Sequence, residues 1–221
     1  PVYVEVYAIF SKIIIFIGMT SPSFSFMFDE LASYLIGGIP ETYIEETFQT
    51  FMLVNSQASN KEREVQWIRD RIKNNVKSGV RNILVTTYDV VSPRDIKAVG
   101  IVEDEVYIVR MIPGKRDSHM VFDQPILTIN DNMNELDVLL SDIIAFSNDR
   151  RIRCEIILHT FSSLLNTHEW KRVYSFMISK IPQLKSSLVQ FSSIYYPDAH
   201  SVEDIMKFEK MADQLVDLSN R

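Results

Sequence analysis

The stretch that most constrains the fold is an apolar run followed by a short polar loop and an amphipathic helix. The run covers residues 48–54, and the helix places Val65, Ile68 and Ile72 on one side. A buried strand that passes through a loop into a helix is the setting in which a phosphate-binding loop occurs. The sequence therefore predicts a strand, loop and helix unit of the α/β type.

The loop itself departs from a working phosphate-binding sequence. That sequence has the form G-x-x-x-x-G-K-[ST], because glycines let backbone N–H groups close around the phosphates and the hydroxyl ligates magnesium. Asn55, Ala58 and Asn60 stand where glycines are expected. Glu62 replaces the hydroxyl residue and adds negative charge, so only Lys61 is retained. The degenerate loop comprises Asn55, Ser56, Gln57, Ala58, Ser59, Asn60, Lys61 and Glu62.

Lys61 alone is better explained as an ordinary solvated lysine in a first helical turn. The flanking segments, however, resemble the KaiC-like branch of the RecA-type ATPases. Residues 28–41 read FDELASYLIGGIPE and are similar to the LDELLGGGIP segment that precedes the loop strand in that branch. Residues 81–96 resemble its second core strand with a VTxEExSPEDI tail, and residues 103–109 resemble the next strand. The resemblance runs in order from about residue 28 to the C-terminus, and it implies an archaeal-type RecA-like fold.

The second catalytic element of such ATPases is a strand that ends in a magnesium-binding aspartate. Residues 154–165 resemble the family pattern vvIDSLSaLl, and His159 occupies the aspartate position. Neutral imidazole is a poor ligand for magnesium, which prefers hard oxygen donors. The alternative for His159 is a hydrogen-bonded histidine at a strand end. Asp89 stands near the position of the catalytic acid, as a remnant of the general base or as a turn former before Pro93.

Towards the C-terminus, residues 194–201 resemble the npdaHs turn of archaeal members. Residues 212–218 resemble the fDgviel segment at the end of their sequence pattern. His200 beside Asp198 admits a metal or acid–base interpretation, but turn chemistry explains both residues. Ser201 and Asp204 have the spacing of a helix cap.

Composition restricts the class of protein. With 221 residues, 46% of them hydrophobic and 24% charged, the chain can bury one large α/β core. A single cysteine, Cys154, excludes a disulfide framework and favours a reducing, cytoplasmic compartment. The net charge of -6 argues against a nucleic-acid platform. The basic cluster at residues 150–153 is typical of a solvated loop or a subunit contact.

The domain organisation predicted from these patterns is an N-terminal extension or added strand over residues 1–27 and one KaiC/RecA-like domain over residues 28–221. The apolar run at residues 13–17 is too short to span a bilayer, and no signal-type cleavage site follows it.

Coarse periodicity predicts helices and strands in alternation. Helices are expected at residues 62–78, 133–146, 168–181 and 202–212. Strands are expected at residues 48–54, 81–87, 106–111, 154–158, 187–194 and 214–218. This alternation predicts an α/β fold of the RecA-like P-loop type, with a mainly parallel sheet covered by helices on both faces.

Two functional classes follow from the degenerate motifs. The first is a non-catalytic KaiC/RecA-like domain, a pseudo-ATPase without cofactor that acts in regulation or assembly, as a homo-oligomer or with a related active ATPase. The second is a domain that still binds ATP or another anion weakly through Lys61 and the positively polarised N-terminus of its helix, with weak residual activity. A DNA-strand-exchange relative would need basic loops after the later strands, which the sequence does not offer.

Overall fold

The described part of the chain forms a seven-stranded parallel β-sheet with helices on both faces. The computed structural model describes residues 50–57, 59–87, 105–114 and 126–219. The chain divides into two units, residues 1–47 and 48–221, and all described residues belong to the second. The predictions for residues 1–27 and 28–41, for Ala58, for Asp89 and for the turn at Pro93 lie outside the described residues.

The strands are β1 (Phe51–Asn55), β2 (Arg81–Thr87), β3 (Val106–Met111), β4 (Ile126–Ile129), β5 (Cys154–His159), β6 (Val189–Tyr195) and β7 (Gln214–Asp217). The helices are α1 (Lys61–Lys77), α2 (Met133–Arg150), α3 (Phe161–Thr167), α4 (Trp170–Lys185) and α5 (Val202–Glu209), with a 3-10 turn at Pro197–Ala199. None of the helices in the described ranges has the length and apolar character needed to cross a bilayer.

All neighbouring strands run parallel, in the order β4, β3, β2, β5, β6, β1, β7. The sheet therefore places β6 between β1, which feeds the degenerate loop, and β5, which ends in His159. In parallel sheets the carboxyl ends of the strands lie at one edge, where ligands usually bind. The predicted fold class, α/β with a RecA-like arrangement of parallel strands, is confirmed.

The alternating side chains of the strands form two apolar layers. On one face, Met52 and Val54 of β1 and Ile157 of β5 pack against Ile68 and Ile72 of α1. On the other face, Phe51 and Leu53 of β1 pack with the buried sides of α2, α3, α4 and α5. Sheet strands buried on both faces read as continuous apolar runs, which is why β1 and β5 were recognisable from sequence.

Most predicted elements coincide with observed ones to within a few residues, and β2 and β3 coincide fully. Two elements were not predicted, β4 and the short helix α3. Thr160 explains the start of α3, because its side chain accepts a hydrogen bond from the backbone N–H of Ser163 at 3.1 Å and so caps the helix. The predicted helix at residues 168–181 begins at Trp170 and continues to Lys185 with Pro182 inside it.

Candidate functional site

The ends of β1, β6 and β5 meet at the carboxyl edge of the sheet. Asn55 at the end of β1 lies opposite Tyr195 of β6, and His159 at the end of β5 lies opposite Ile194. The loop position and the aspartate position predicted from sequence are therefore brought to the same edge, one strand apart.

The degenerate loop leaves β1 as a short turn closed by its own backbone. The N–H of Ser56 donates to the carbonyl of Tyr195 at 3.0 Å, and the N–H of Asn60 donates to the carbonyl of Gln57 at 2.8 Å. In a working loop the amide at the position of Asn60 would be directed at phosphate. Here that amide is already bonded within the chain.

The first turn of α1 carries two carboxylates in different surroundings. Lys61 and Glu62 are exposed, whereas Glu64 is buried with 1% of its surface accessible. Acidic residues in a first turn are stabilised by the helix dipole. They also reduce the positive potential that makes a helix N-terminus attractive to an external anion.

Glu64 is the centre of a buried polar group that we call the Glu64 cluster, made of Ser56, Glu64, His159 and Tyr196. The hydroxyl of Ser56 donates to Oε1 of Glu64 at 2.7 Å. Nε2 of His159 lies 2.9 Å from Oε2, and the hydroxyl of Tyr196 donates to the same oxygen at 3.2 Å. Both carboxylate oxygens are therefore occupied by protein donors.

His159 is fully buried, and its peptide bond to Thr160 is cis. The contact joins Nε2 of His159 to Oε2 of Glu64, and which atom donates follows from the tautomer of the imidazole. Nδ1 of His159 is buried and has no hydrogen-bond partner among the residues that the structure describes. The prediction of a hydrogen-bonded histidine at a strand end describes this residue, with Glu64 as a partner that the sequence did not reveal.

Tyr196 is held in its protonated form. Burial raises the pKa of the Tyr196 phenol, and the adjacent charge of Glu64 and the hydrogen bond to it raise that pKa further. The backbone N–H of Tyr196 donates to the hydroxyl of Ser162 at 2.8 Å, which fixes the residue that follows β6.

A second buried carboxylate lies on the same face of the sheet, nearer the amino ends of the strands. Glu155 of β5 is fully buried, and Nε of Arg71 donates to its two oxygens at 3.0 and 2.8 Å. Asn75 of α1 and Ser192 of β6 also donate to this carboxylate. Arg71 in turn donates to Gln190 at 2.9 Å. We call this group the Glu155 cluster: Arg71, Asn75, Glu155, Gln190 and Ser192.

The turn and helix near residue 200 contain further residues that the sequence analysis singled out. Ser201 caps α5, since its hydroxyl accepts from the N–H of Asp204 at 3.2 Å, as the sequence spacing predicted. Burial lowers the pKa of His200, and Asp204 partly opposes this shift. No group of three or more histidine, cysteine or acidic side chains within the described ranges is arranged to hold a metal ion.

Cys154 lies buried at the start of β5, as predicted for a small core residue. Burial raises the pKa of its thiol to about 11, and the nearby Arg81 and Ser147 only partly offset this effect. A thiol in this state is mostly protonated at neutral pH and is a poor nucleophile.

Comparisons with known proteins support the fold but supply no family. No protein-family model matches the chain, and no curated protein matches it. Among solved structures, 102 chains match, which fits a widely shared fold. One is a protein from Pyrococcus horikoshii OT3 described as a structural study of Project ID PH0250. It has a TM-score of 0.51 and 12% identity, and the match covers 78% of this chain and 82% of that chain. At this identity the similarity concerns the fold alone.

Proposed function

We propose that this protein is a non-catalytic KaiC/RecA-like domain, a pseudo-ATPase that acts in regulation or assembly. The observation that carries the proposal is the Glu64 cluster. It joins the first turn of α1 to the end of β5, the two places that supply the magnesium shell in an active ATPase of this fold.

The side chains at this edge do not fit a magnesium ion. Magnesium prefers an octahedron of oxygen ligands, usually carboxylates, waters and phosphates. His159 at the end of β5 offers nitrogen, and Nε2 is directed at Glu64. The nearest buried carboxylate, Glu64, already receives three protein donors. A magnesium ion at Glu64 would compete with these donors for a carboxylate that is buried.

The loop also lacks the means to hold a triphosphate. The N–H of Asn60 bonds to Gln57, and the side chain at position 62 is a carboxylate in place of a hydroxyl. Phosphoryl transfer is catalysed mainly by positioning and neutralisation of charge. Loss of the cradle, the metal ligand and the hydroxyl together removes both contributions.

One observation favours the second candidate, a domain that binds ATP or another anion weakly with little activity. Asn60 forms no side-chain cap on α1, although asparagine at this position normally bonds to the first-turn amides. An uncapped N-terminus with Lys61 beside it retains some attraction for an anion. We place this candidate second because Glu62 and Glu64 oppose that attraction.

The role that remains for such a domain is association, with copies of itself or with a related active ATPase. We expect a homo-oligomer, because members of the family that the sequence resembles assemble as rings or stacks. Light scattering should give a mass that is a multiple of 25.6 kDa, and a monomer at high micromolar concentration would contradict this part of the proposal.

Phosphate release from ATP tests the absence of catalysis. We expect the purified protein to show no magnesium-dependent hydrolysis above background, and the Lys61→Ala variant to behave like the wild type. Turnover of about one per second that magnesium supports and Lys61→Ala abolishes would contradict the proposal.

A further inference from the structure

The amino edge of the sheet, opposite the Glu64 cluster, concentrates positive charge. We call it the amino-edge surface and define it by five cations that come from the ends of α1 and α2 and the starts of β2 and β5. They are Lys77, Arg81, Arg150, Arg151 and Arg153. Two acids lie near them: Asp149 precedes Arg150 in the chain, and the carbonyl of Glu105 accepts a hydrogen bond from Asn82, the residue after Arg81. The surface is therefore basic on a chain whose net charge is -6.

Backbone and side-chain contacts bring these cations together. The N–H of Arg81 donates to the carbonyl of Arg153 at 2.9 Å. Nη2 of Arg153 donates at 2.7 Å to the carbonyl of Ser78, which follows Lys77 at the end of α1. The guanidinium of Arg81 lies 5.8 Å from the ring centre of Phe146 in α2. The ends of α1 and α2 and the starts of β2 and β5, each of which carries at least one of the five cations, thus lie close together at this edge.

Local structure explains some of these residues individually. Cations at the last turn of a helix interact favourably with its dipole, which accounts for Lys77 and Arg150. Arg153 bonds to a carbonyl at the end of α1. Arg151 is different, because its side chain forms no hydrogen bond or ion pair with any residue that the structure describes.

The backbone conformation at Arg151 is also unusual for an arginine. Arg151 follows α2 with a φ of 52°, in the left-handed region where glycine or asparagine is usual. A non-glycine residue there is strained, because its Cβ crowds the neighbouring backbone. Arginine at this position is thus locally unfavourable, and such positions occur preferentially at functional sites.

Exposed apolar side chains lie beside these cations. Val76 precedes Lys77 and is 41% exposed. Leu188 is 36% exposed, and its carbonyl accepts from the N–H of Cys154, directly after Arg153. Arginine combined with apolar groups is typical of protein–protein interfaces.

We propose that the amino-edge surface binds an acidic segment of a partner protein, with Arg151 as a principal contact. Charge selects the class of partner. A nucleic acid would extend past the basic surface onto a chain that is acidic overall, whereas a short acidic segment is confined to the cations. This proposal is independent of whether the loop binds a nucleotide.

Fluorescence anisotropy with a labelled peptide of about 12 residues, rich in glutamate with interspersed leucine, tests the surface at about 0.15 M salt. We expect the Lys77→Glu/Arg151→Glu variant to bind at least about tenfold more weakly than the wild type. The matched control, Lys171→Glu/Lys210→Glu, makes the same change of charge at exposed positions elsewhere and should change the affinity less than about twofold.

Arg151→Gly separates binding from stability. Glycine relieves the backbone strain, so this variant should melt at a higher temperature while it binds the peptide more weakly. Equal losses in the control and test variants would overturn the proposal, and so would unchanged binding by Arg151→Gly or no binding by the wild type. Tighter binding of an oligonucleotide of matched length and charge would also overturn it, because it would show a nucleic-acid surface.

Discussion

Two buried carboxylates lie between α1 and one face of the sheet, Glu64 on the helix and Glu155 on β5, and their hydrogen-bond partners differ in charge. Glu155 faces Arg71, a guanidinium that stays charged at all ordinary pH values, with Asn75 and Ser192 as further donors. Glu64 faces His159, Ser56 and Tyr196, whose side chains can all be neutral. One group is a fixed ion pair, and the other is a carboxylate held by donors that do not depend on a permanent positive charge.

The two clusters also lie at opposite ends of the strands. The Glu155 cluster joins α1 to the sheet near the amino ends of the strands, where ligands do not normally bind in this architecture. The Glu64 cluster lies at the carboxyl edge, where a ligand would be expected. From this we infer that the Glu155 cluster is structural, while the Glu64 cluster lies where the proposed relationship to ATPases would put a metal site.

The largest effect is expected from Glu155→Gln. The amide leaves the Arg71 charge without its carboxylate, which should lower the free energy of unfolding by about 3 kcal/mol. Denaturant unfolding measures this change. Glu203→Gln, which removes a carboxylate from an exposed pair with Lys207, should cost at most about 0.5 kcal/mol. Equal effects of the two variants would show that the pair of Arg71 and Glu155 is not important for stability.

An intermediate effect is expected from the same change at Glu64. Glu64→Gln replaces one acceptor oxygen by an NH₂ group that faces existing donors, but it leaves no permanent cation behind. We expect a loss of about 1–2 kcal/mol in the free energy of unfolding, smaller than for Glu155→Gln under identical conditions. If Glu64→Gln were the more destabilising of the two, the distinction between the clusters would fail.

A smaller effect, dependent on pH, is expected from Tyr196→Phe. At neutral pH the lost hydrogen bond to Glu64 should cost about 1 kcal/mol. Because the pKa of Tyr196 is raised in the folded protein, the folded state keeps a proton that the unfolded chain releases above about pH 10. The free energy of unfolding of the wild type therefore falls as pH rises through this range. The difference in this free energy between the wild type and Tyr196→Phe should become smaller.

Denaturant unfolding of the wild type and Tyr196→Phe, measured from neutral pH to about pH 11, tests whether the difference in stability decreases. Tyr195→Phe serves as a second test variant. Burial and a hydrogen bond to Glu209 raise the pKa of Tyr195, which lies outside the Glu64 cluster. Both variants should converge on the wild type at alkaline pH. An advantage of the wild type over Tyr196→Phe that grows with pH would contradict the assigned contact.

The sequence predicted the fold well because the apolar strands and the amphipathic α1 carry strong periodic signals. Glu64 was missed because a charged residue in a first helical turn is normally exposed. The available signal was its position on the same side of α1 as Ile68 and Ile72.

Glu155 was missed for a related reason. It lies within an apolar strand, and strand periodicity alone does not show which polar groups reach it. Its partners Arg71, Asn75 and Ser192 are distant in sequence, and only the packing of α1 over β5 and β6 brings them together. Such long-range pairs depend on register and helix position, which a single sequence does not specify.

The central claim is that the Glu64 cluster and the closed loop leave no magnesium-dependent nucleotide site. Calorimetric titration of the wild type with ATP, with and without magnesium, tests it most directly. The comparison variant is Asn55→Gly/Asn60→Gly/Glu62→Thr, which restores backbone room and the hydroxyl. We predict weak or undetectable wild-type binding that magnesium does not improve, and tighter binding by the repaired variant. Low-micromolar wild-type binding, about -8 kcal/mol, that strengthens with magnesium would contradict the claim.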